Sequence, residues 1–278
     1  MGESFSRKPS LEALKRSEVR RWRLPTLEHV RHRHPGQEWI PHWHSEWSFG
    51  AIVRGACLCS IDGKPAKAVA GDVLAISPHT VHTGALADID GSESVSVVML
   101  YVATEWLEEK ALVPPRGSGF VSQPESARAA SNLHSPEQIE QWLRALLPWL
   151  CDALPIQSSN PTASARQTLK AFEQGVLEGE LSIHALAERC RISRERLHRV
   201  ISRWTGMNPS EYLRALRVNR ARELLLDGEP LSAIAAASGF ADQAHFTRAF
   251  RQSFGYTPGD LQAALRKRAD ADGQPAVA

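Results

Sequence analysis

Cysteine is scarce in this chain. Cys57, Cys59, Cys151 and Cys190 are the only four in 278 residues, and none forms a Cys-x-x-Cys pair. The pattern excludes a disulfide-dense scaffold and fits a reducing cytoplasm. Long apolar runs are also lacking: nothing approaches eighteen consecutive apolar residues, and the N-terminus carries no apolar stretch. Neither a membrane span nor an export signal is expected. Net charge is small, +2 from 33 Lys and Arg against 31 Asp and Glu. That near-balance hides an asymmetry. Residues 162–268 hold 17 basic against 11 acidic side chains, an excess of six, whereas the remainder is acidic, with 16 against 20. A basic C-terminal part beside an acidic remainder suits phosphate binding by the former alone. The length allows two domains with separate cores.

What is present is most concentrated in residues 239–258, Gly-Phe-Ala-Asp-Gln-Ala-His-Phe-Thr-Arg-Ala-Phe-Arg-Gln-Ser-Phe-Gly-Tyr-Thr-Pro. Phe246, Phe250 and Phe254 fall at i, i+4 and i+8, one apolar stripe on a helix, and Asp242 is placed to cap its start. The opposite face carries Gln243, Ala244, Thr247, Arg248 and Arg251, a set suited to base edges and phosphates. Residues 231–238 read as a short Ala-rich helix, with Gly239 permitting a sharp turn. This is a helix-turn-helix pattern, and it occurs twice. Leu186-Ala187 to Arg191-Ile192 repeats as Ile234-Ala235 to Gly239-Phe240 at an offset of 48. Leu197, Ile201, Gly206 and Pro209 then pair with Phe246, Phe250, Gly255 and Pro258 at an offset of 49. Between the units, residues 209–226 read as one long helix ended by Asp227-Gly228. In the first unit Ser193 is the expected N-cap. Leu197, Val200, Ile201 and Trp204 then point inward, leaving Arg194, Glu195, Arg196, His198, Arg199 and Arg203 outward.

These runs resemble the DNA-binding domain of AraC-type transcription regulators, over roughly residues 163–261. The resemblance implies a sequence-specific partner, double-stranded DNA, and recruitment of RNA polymerase. It places Glu195 and Arg199 where the family reads bases, Glu195 as an acceptor for a cytosine amino group. Two positions depart from the family: Arg191 replaces a usual Gly and must accept a positive φ, and Gly-Asp-Leu after Pro258 replaces the usual ending of the last helix.

From residue 38 to about 102 the texture changes to short apolar runs cut by Gly, Pro and Asp. Residues 48–53, 56–61, 72–76 and 95–102 read as strands, with a hairpin turn at 61–64. Close-spaced strands suggest a small antiparallel barrel. Pro41-His42-Trp43-His44-Ser45-Glu46 with Gly50, and Gly71 to Pro78 with His82, resemble the two motifs of the cupins, which AraC-type regulators often carry ahead of their DNA-binding domain. His79 stands where the second motif often has Gly. With His42 and His44 alternating on a strand, the resemblance converges both with His82 and Glu46 on a divalent metal, Zn, Fe, Ni or Mn. The other reading is an organic-effector pocket lined by His42, Trp43, His44, Glu46 and His82 without metal. No cofactor is required by the sequence. Cys57 and Cys59 share one strand face as wall residues, soft ligands or a thiol sensor. Trp22, Trp39, Trp43 and Trp47 are expected around one place, in the core or stacked on a ligand. The basic stretch 20–34 reads as an arm over an anionic effector or as a solvated edge.

The expected fold class is α+β multidomain: a cupin-like antiparallel β-barrel (1–112), a linker with an amphipathic helix (113–160), an all-α domain with two helix-turn-helix units (161–268) and a tail (269–278). Residues 114–119 and 122–131 read as loop. Residues 136–151 read as an amphipathic helix, with Pro148 kinking or ending it; the resemblance to AraC-type regulators implies that it packs the barrel and pairs with a second copy in a homodimer. Residues 155–161 read as the domain boundary. The function that follows is a cytoplasmic DNA-binding regulator, not an enzyme, that senses a small-molecule effector. The alternatives are a metal-dependent cupin enzyme using His42, His44, Glu46 and His82, and a metal- or redox-responsive regulator.

Overall fold

The computed structural model describes residues 18–22, 27–33, 36–89, 94–154 and 161–271. Ten strands build the N-terminal part: β1 (Glu18–Trp22), β2 (Leu27–His32), β3 (Glu38–His42), β4 (Trp47–Arg54), β5 (Ala56–Ile61), β6 (Lys64–Val69), β7 (Asp72–Ile76), β8 (His82–Ala87), β9 (Ser96–Val102) and β10 (Gly119–Ser122). They form a six-stranded antiparallel sheet in the order β1-β2-β9-β4-β7-β10 and a four-stranded one in the order β3-β8-β5-β6. The β5–β6 hairpin pairs Ile61 with Lys64 across a two-residue loop in which Asp62 and Gly63 both take positive φ, 52° and 72°. That is the turn whose twist matches the flanking strands.

Strands rich in apolar residues are readable from sequence, whereas β6, Lys-Pro-Ala-Lys-Ala-Val, is not. It lies at the edge of its sheet, where Pro65 is tolerated. The basic stretch 20–34 is not a loose arm over its described part: residues 20–22 pair with β2 at the edge of the larger sheet, and β2 pairs with β9 along its length and buries His29, Val30 and His32.

Helices α1 (Thr104–Glu109), α2 (Pro124–Ala129) and α3 (Pro136–Ala153) cover the back of the larger sheet. Ile139, Leu143, Leu146, Leu147 and Leu150 of α3 pack with Phe49, Ala51, Val98 and Leu100 in one cluster, so the apolar stripe of α3 is covered by the chain's own sheet. A Ser135–Gln138 capping box starts α3. Two local expectations need correcting. Residues 122–131, expected as loop, contain α2, which begins with Pro124 in its first turn and buries Ala127. Pro148 does not end α3, which runs on to Ala153. Pro148 and Arg144, whose carbonyl loses its partner, are both exposed, so water can satisfy that group. Within 113–160, β10 also joins the larger sheet beside β7.

The C-terminal part is helical: α4 (Ala163–Leu177), α5 (Ile183–Arg189), α6 (Arg194–Thr205), α7 (Pro209–Leu226), α8 (Leu231–Ala237), α9 (Gln243–Phe254) and α10 (Pro258–Ala271). Sequence signals mark the ends. Ser193 and Asp242 cap α6 and α9, Gly206 and Gly255 end them with φ of 69° and 78°, and an Asn208–Glu211 capping box starts α7. Arg191 takes the positive φ its position demands, 55°. The unusual ending is also accounted for: Asp260 accepts from the Thr257 N–H at 2.8 Å, and the Thr257 hydroxyl accepts from the Asp260 N–H at 3.1 Å, a reciprocal cap for α10. Residues 155–160, most of the expected boundary, and 272–278 of the tail lie outside the described residues. Among the described residues no helix is long and apolar enough to cross a membrane.

The two parts share their cores. Val30 and Tyr101 of the barrel belong to the cluster built from α7 to α10, and Trp43 completes the cluster around α4 to α7.

Candidate functional site

Helices α6 and α9 present the side chains that chemistry suits to DNA. Leu197 and Ile201 of α6 and Phe246, Ala249, Phe250 and Phe254 of α9 are buried. Arg194, Glu195, Arg196, His198, Arg199 and Arg203 stand exposed on α6, with Val200 and Trp204 half-buried between the faces. Gln243, Ala244, Arg248 and Arg251 are exposed on α9, and Thr247 is half-buried. Hydrogen bonds to its own backbone N–H and to Ser193 hold the Glu195 carboxyl below its usual range, so it stays an acceptor. Each exposed set lies at the second helix of a helix-turn-helix, where a major groove is read.

Between the two sheets lies a small cavity of about 60 Å³, walled by Ile52, Leu74, Ile76, Val97, Met99 and Phe120 of the larger sheet and by Trp39, Cys57, Cys59, Ile61 and Leu86 of the smaller one. Gly50 is small because Met99 needs its place: a Cβ there would meet the Met99 sulfur at 2.6 Å. The polar part of the wall includes His42, His82, Thr83 and Tyr101. His42 and His82 are direct cross-strand partners in β3 and β8, their rings 4.2 Å apart. A register shift between Trp39 and His42, where Pro41 falls, aims His42 inward. His79, at the usual glycine position, takes φ 61° and donates its N–H to the His44 carbonyl.

The expected site residues do not all meet here. His44 does not alternate with His42 on a strand, because β3 ends at His42; His44 lies in the following turn, with its ring 4.9 Å from that of His82. Trp43 points away from the cavity and stacks 4.9 Å from Tyr212 in the helical domain. Glu46 forms a buried ion pair with Arg222 of α7. The tryptophans separate too: Trp39 lines the cavity, Trp43 joins the helical core and Trp47 packs behind the larger sheet, while the Trp22 side chain lies outside the described residues. Cys57 and Cys59 both reach the cavity, and a hydrogen bond between them lowers Cys57 and raises Cys59.

Burial holds His42 and His44 neutral, well below the ordinary imidazole range, and pushes His82 down to about 4. The Nδ1 atoms of His42, His44 and His82 lie 2.8, 3.0 and 2.9 Å from the carbonyls of Ile40, Glu46 and Thr80. A carbonyl only accepts, so each Nδ1 carries the proton and each Nε2 presents a lone pair. Ligand atoms of the three rings lie within 4.8 Å of one another. The set fits a metal only in part. His44 Nε2 sits 3.0 Å from the Ser48 hydroxyl, which can donate to it, and Glu46 is neutralised by Arg222, leaving two uncommitted nitrogens where three protein ligands are usual.

The cavity wall is also the domain interface. Arg222 lies over the rings of Tyr101 and Phe254, at 5.8 and 5.3 Å. The His42 ring is 6.2 Å from that of Phe254. A Cβ on Gly255 would meet Trp39 Nε1 at 2.6 Å. Trp39, His42 and Tyr101 thus touch the cavity on one side and the end of α9 or α7 on the other. Sequence could not show this, because its partners lie from 121 (Tyr101 to Arg222) to 216 residues (Trp39 to Gly255) apart along the chain.

Comparison with known proteins agrees with both halves. Residues 24–168 match the family described as AraC-like ligand binding domain, and residues 186–264 match the helix-turn-helix domain family. The HTH-type transcriptional activator RhaS of Pectobacterium carotovorum subsp. carotovorum (strain PC1) is 26% identical over 257 residues, 84% of this chain and 91% of the relative. RhaS of Escherichia coli (strain SE11) is 32% identical over 144 residues, 51% of this chain, which here spans about half of the relative (52%). Among solved structures, an apo form of ToxT from Vibrio cholerae carrying one substitution superposes with a TM-score of 0.56 at 11% identity, covering 88% of this chain and 100% of that one. Wild-type ToxT from the same organism with unsaturated fatty acid bound gives 0.53 at 12% identity, covering 87% and 96%.

Proposed function

The chain belongs to the AraC family, as a DNA-binding transcription regulator with a ligand-binding domain, and on that premise we propose that a small molecule seated against His42 and His82 controls how α6 and α9 meet DNA. The observation that carries this reading is the shared wall. Trp39, His42 and Tyr101 line the cavity and touch Gly255, Phe254 and Arg222. An occupant that shifts those side chains acts on the end of α9 without a long relay, a coupling between two sites through one interface.

In this reading residues 161–268 bind paired operator half-sites in the cytoplasm. The barrel (1–112) with the segment 113–160 senses the effector, a homodimer aligns two copies, and the bound regulator acts on RNA polymerase. The barrel serves recognition and performs no turnover. Genomic mapping of bound sites tests the DNA half, and a shift of operator affinity on adding compounds that occupy the cavity tests the sensing half. Operator affinity indifferent to every cavity ligand refutes the coupling. One observation favours a second reading, a metal-responsive regulator: the three imidazoles within 4.8 Å. It requires close to one metal per chain in protein purified without chelator, lost in the His42→Ala, His44→Ala double variant.

A further inference from the structure

The polar end of the cavity is chemically one-sided. His42 and His82 each commit Nδ1–H to a backbone carbonyl two residues back, Ile40 and Thr80. Both Nε2 atoms are therefore acceptors, on facing cross-strand residues. Among the described residues neither Nε2 has a hydrogen-bond partner, although both side chains border the cavity. Two adjacent lone pairs with nothing between them are satisfied only by a group that donates. Among the described residues no Lys or Arg lines the cavity, so an anionic head group finds no countercharge there. Most of the remaining wall is apolar or aromatic, which leaves the hydroxyls of a sugar without partners.

We propose that the effector is an uncharged, mainly apolar small molecule bearing an O–H or ring N–H donor, held between His42 Nε2 and His82 Nε2. The proposal rests on the reading of this cavity as the effector site and narrows it to a class: phenols and azole-type N–H compounds, as opposed to carboxylic acids and polyols. Trp39, Phe120 and Tyr101 supply flat faces for an aromatic ring. The polar contact is made to the histidine that also touches Phe254. The donor group is thus what the end of α9 senses.

The test is calorimetric titration of the full chain with two matched trios: phenol, anisole and benzoate, and indole, 1-methylindole and indole-3-carboxylate. The expected order is donor first, with phenol and indole binding about tenfold more tightly than their methylated partners and the carboxylates weakest. The double variant His42→Leu, His82→Leu should level phenol and anisole while both still bind, because the apolar wall remains. The wild-type ratio stands as evidence even if that variant fails to fold. Carboxylates binding as well as phenol or indole, or methylated partners matching them in the wild type, overturn the class but leave the cavity as effector site. Absence of binding by all six compounds, with one Zn²⁺ per chain bound instead, overturns both.

Discussion

Glu46→Gln isolates a buried ion pair that joins the barrel to the helical domain. Glu46 is 3% exposed and Arg222 4%, and their side chains meet directly across the interface. The substitution keeps the shape and removes the charge, so the buried Arg222 guanidinium faces a neutral amide in place of the Glu46 carboxylate. Breaking one partner of such a pair costs about 3–5 kcal/mol. Here the molecule has a way to relieve part of that cost, because Arg222 regains water if α7 lifts off the barrel. Lifting exposes Trp43, Val30 and Tyr101, which complete the helical cores. Two readouts are therefore needed. The first thermal transition followed by tryptophan fluorescence should fall by roughly 6–20 °C, and small-angle scattering should report a larger radius of gyration. The double variant Glu46→Leu, Arg222→Met removes both charges and should recover most of the loss, since apolar replacement of a buried pair is often neutral. A Glu46→Gln protein that melts and scatters like the wild type refutes the reasoning. So does a double variant less stable than either single change.

Acid should weaken the barrel well above the carboxylate range. Burial lowers His32 to about 3 and His82 to about 4 from 6.5. The unfolded chain therefore binds more protons below pH 6.5; stability is full above that value and falls as pH drops, by about 2 kcal/mol for each of the two at pH 5. Urea midpoints that stay flat between pH 7 and 5 contradict this. The two helix-ending glycines should respond differently. Gly206→Ala costs only the left-handed conformation, about 1–2 kcal/mol, because nothing lies within 4 Å of its added Cβ. Gly255→Ala also drives that atom into Trp39 and His32, so equal losses in denaturant melts would remove the barrel from contact with α9. Arg248→Ala should cost about 1–3 kcal/mol on the selected operator and far less on random DNA; equal losses by fluorescence anisotropy make Arg248 a phosphate contact. Glu195→Gln should change the preferred base at one position in a binding-site selection, and an unchanged motif ends its role in reading sequence.

The sequence alone determined most of the helical domain. The Phe246, Phe250 and Phe254 stripe, the Ser193 and Asp242 caps, the duplicated turn and the bounds of α7 are local signals, set by propensity and by contacts three or four residues apart. Outward positions on α6 and α9 follow from the same periodicity, so the exposed candidates for DNA contact are readable without the fold. The barrel is legible only in part. Strands with covered faces announce themselves by apolar runs, whereas β3, β6 and β8 are short, polar or broken by Pro41, Pro65 and Gly84, and take their form from their neighbours. The fate of the motif residues was decided entirely in three dimensions. His42 and His82 are 40 residues apart and become neighbours only through the β3–β8 register. Within the same short motif, Trp43 turns to Tyr212 and Glu46 to Arg222 because the helical domain supplies a flat aromatic ring and a cation at those points. Spacing names the residue types that a site can use, but burial and pairing across the chain decide which of them face the cavity and which hold the two domains together.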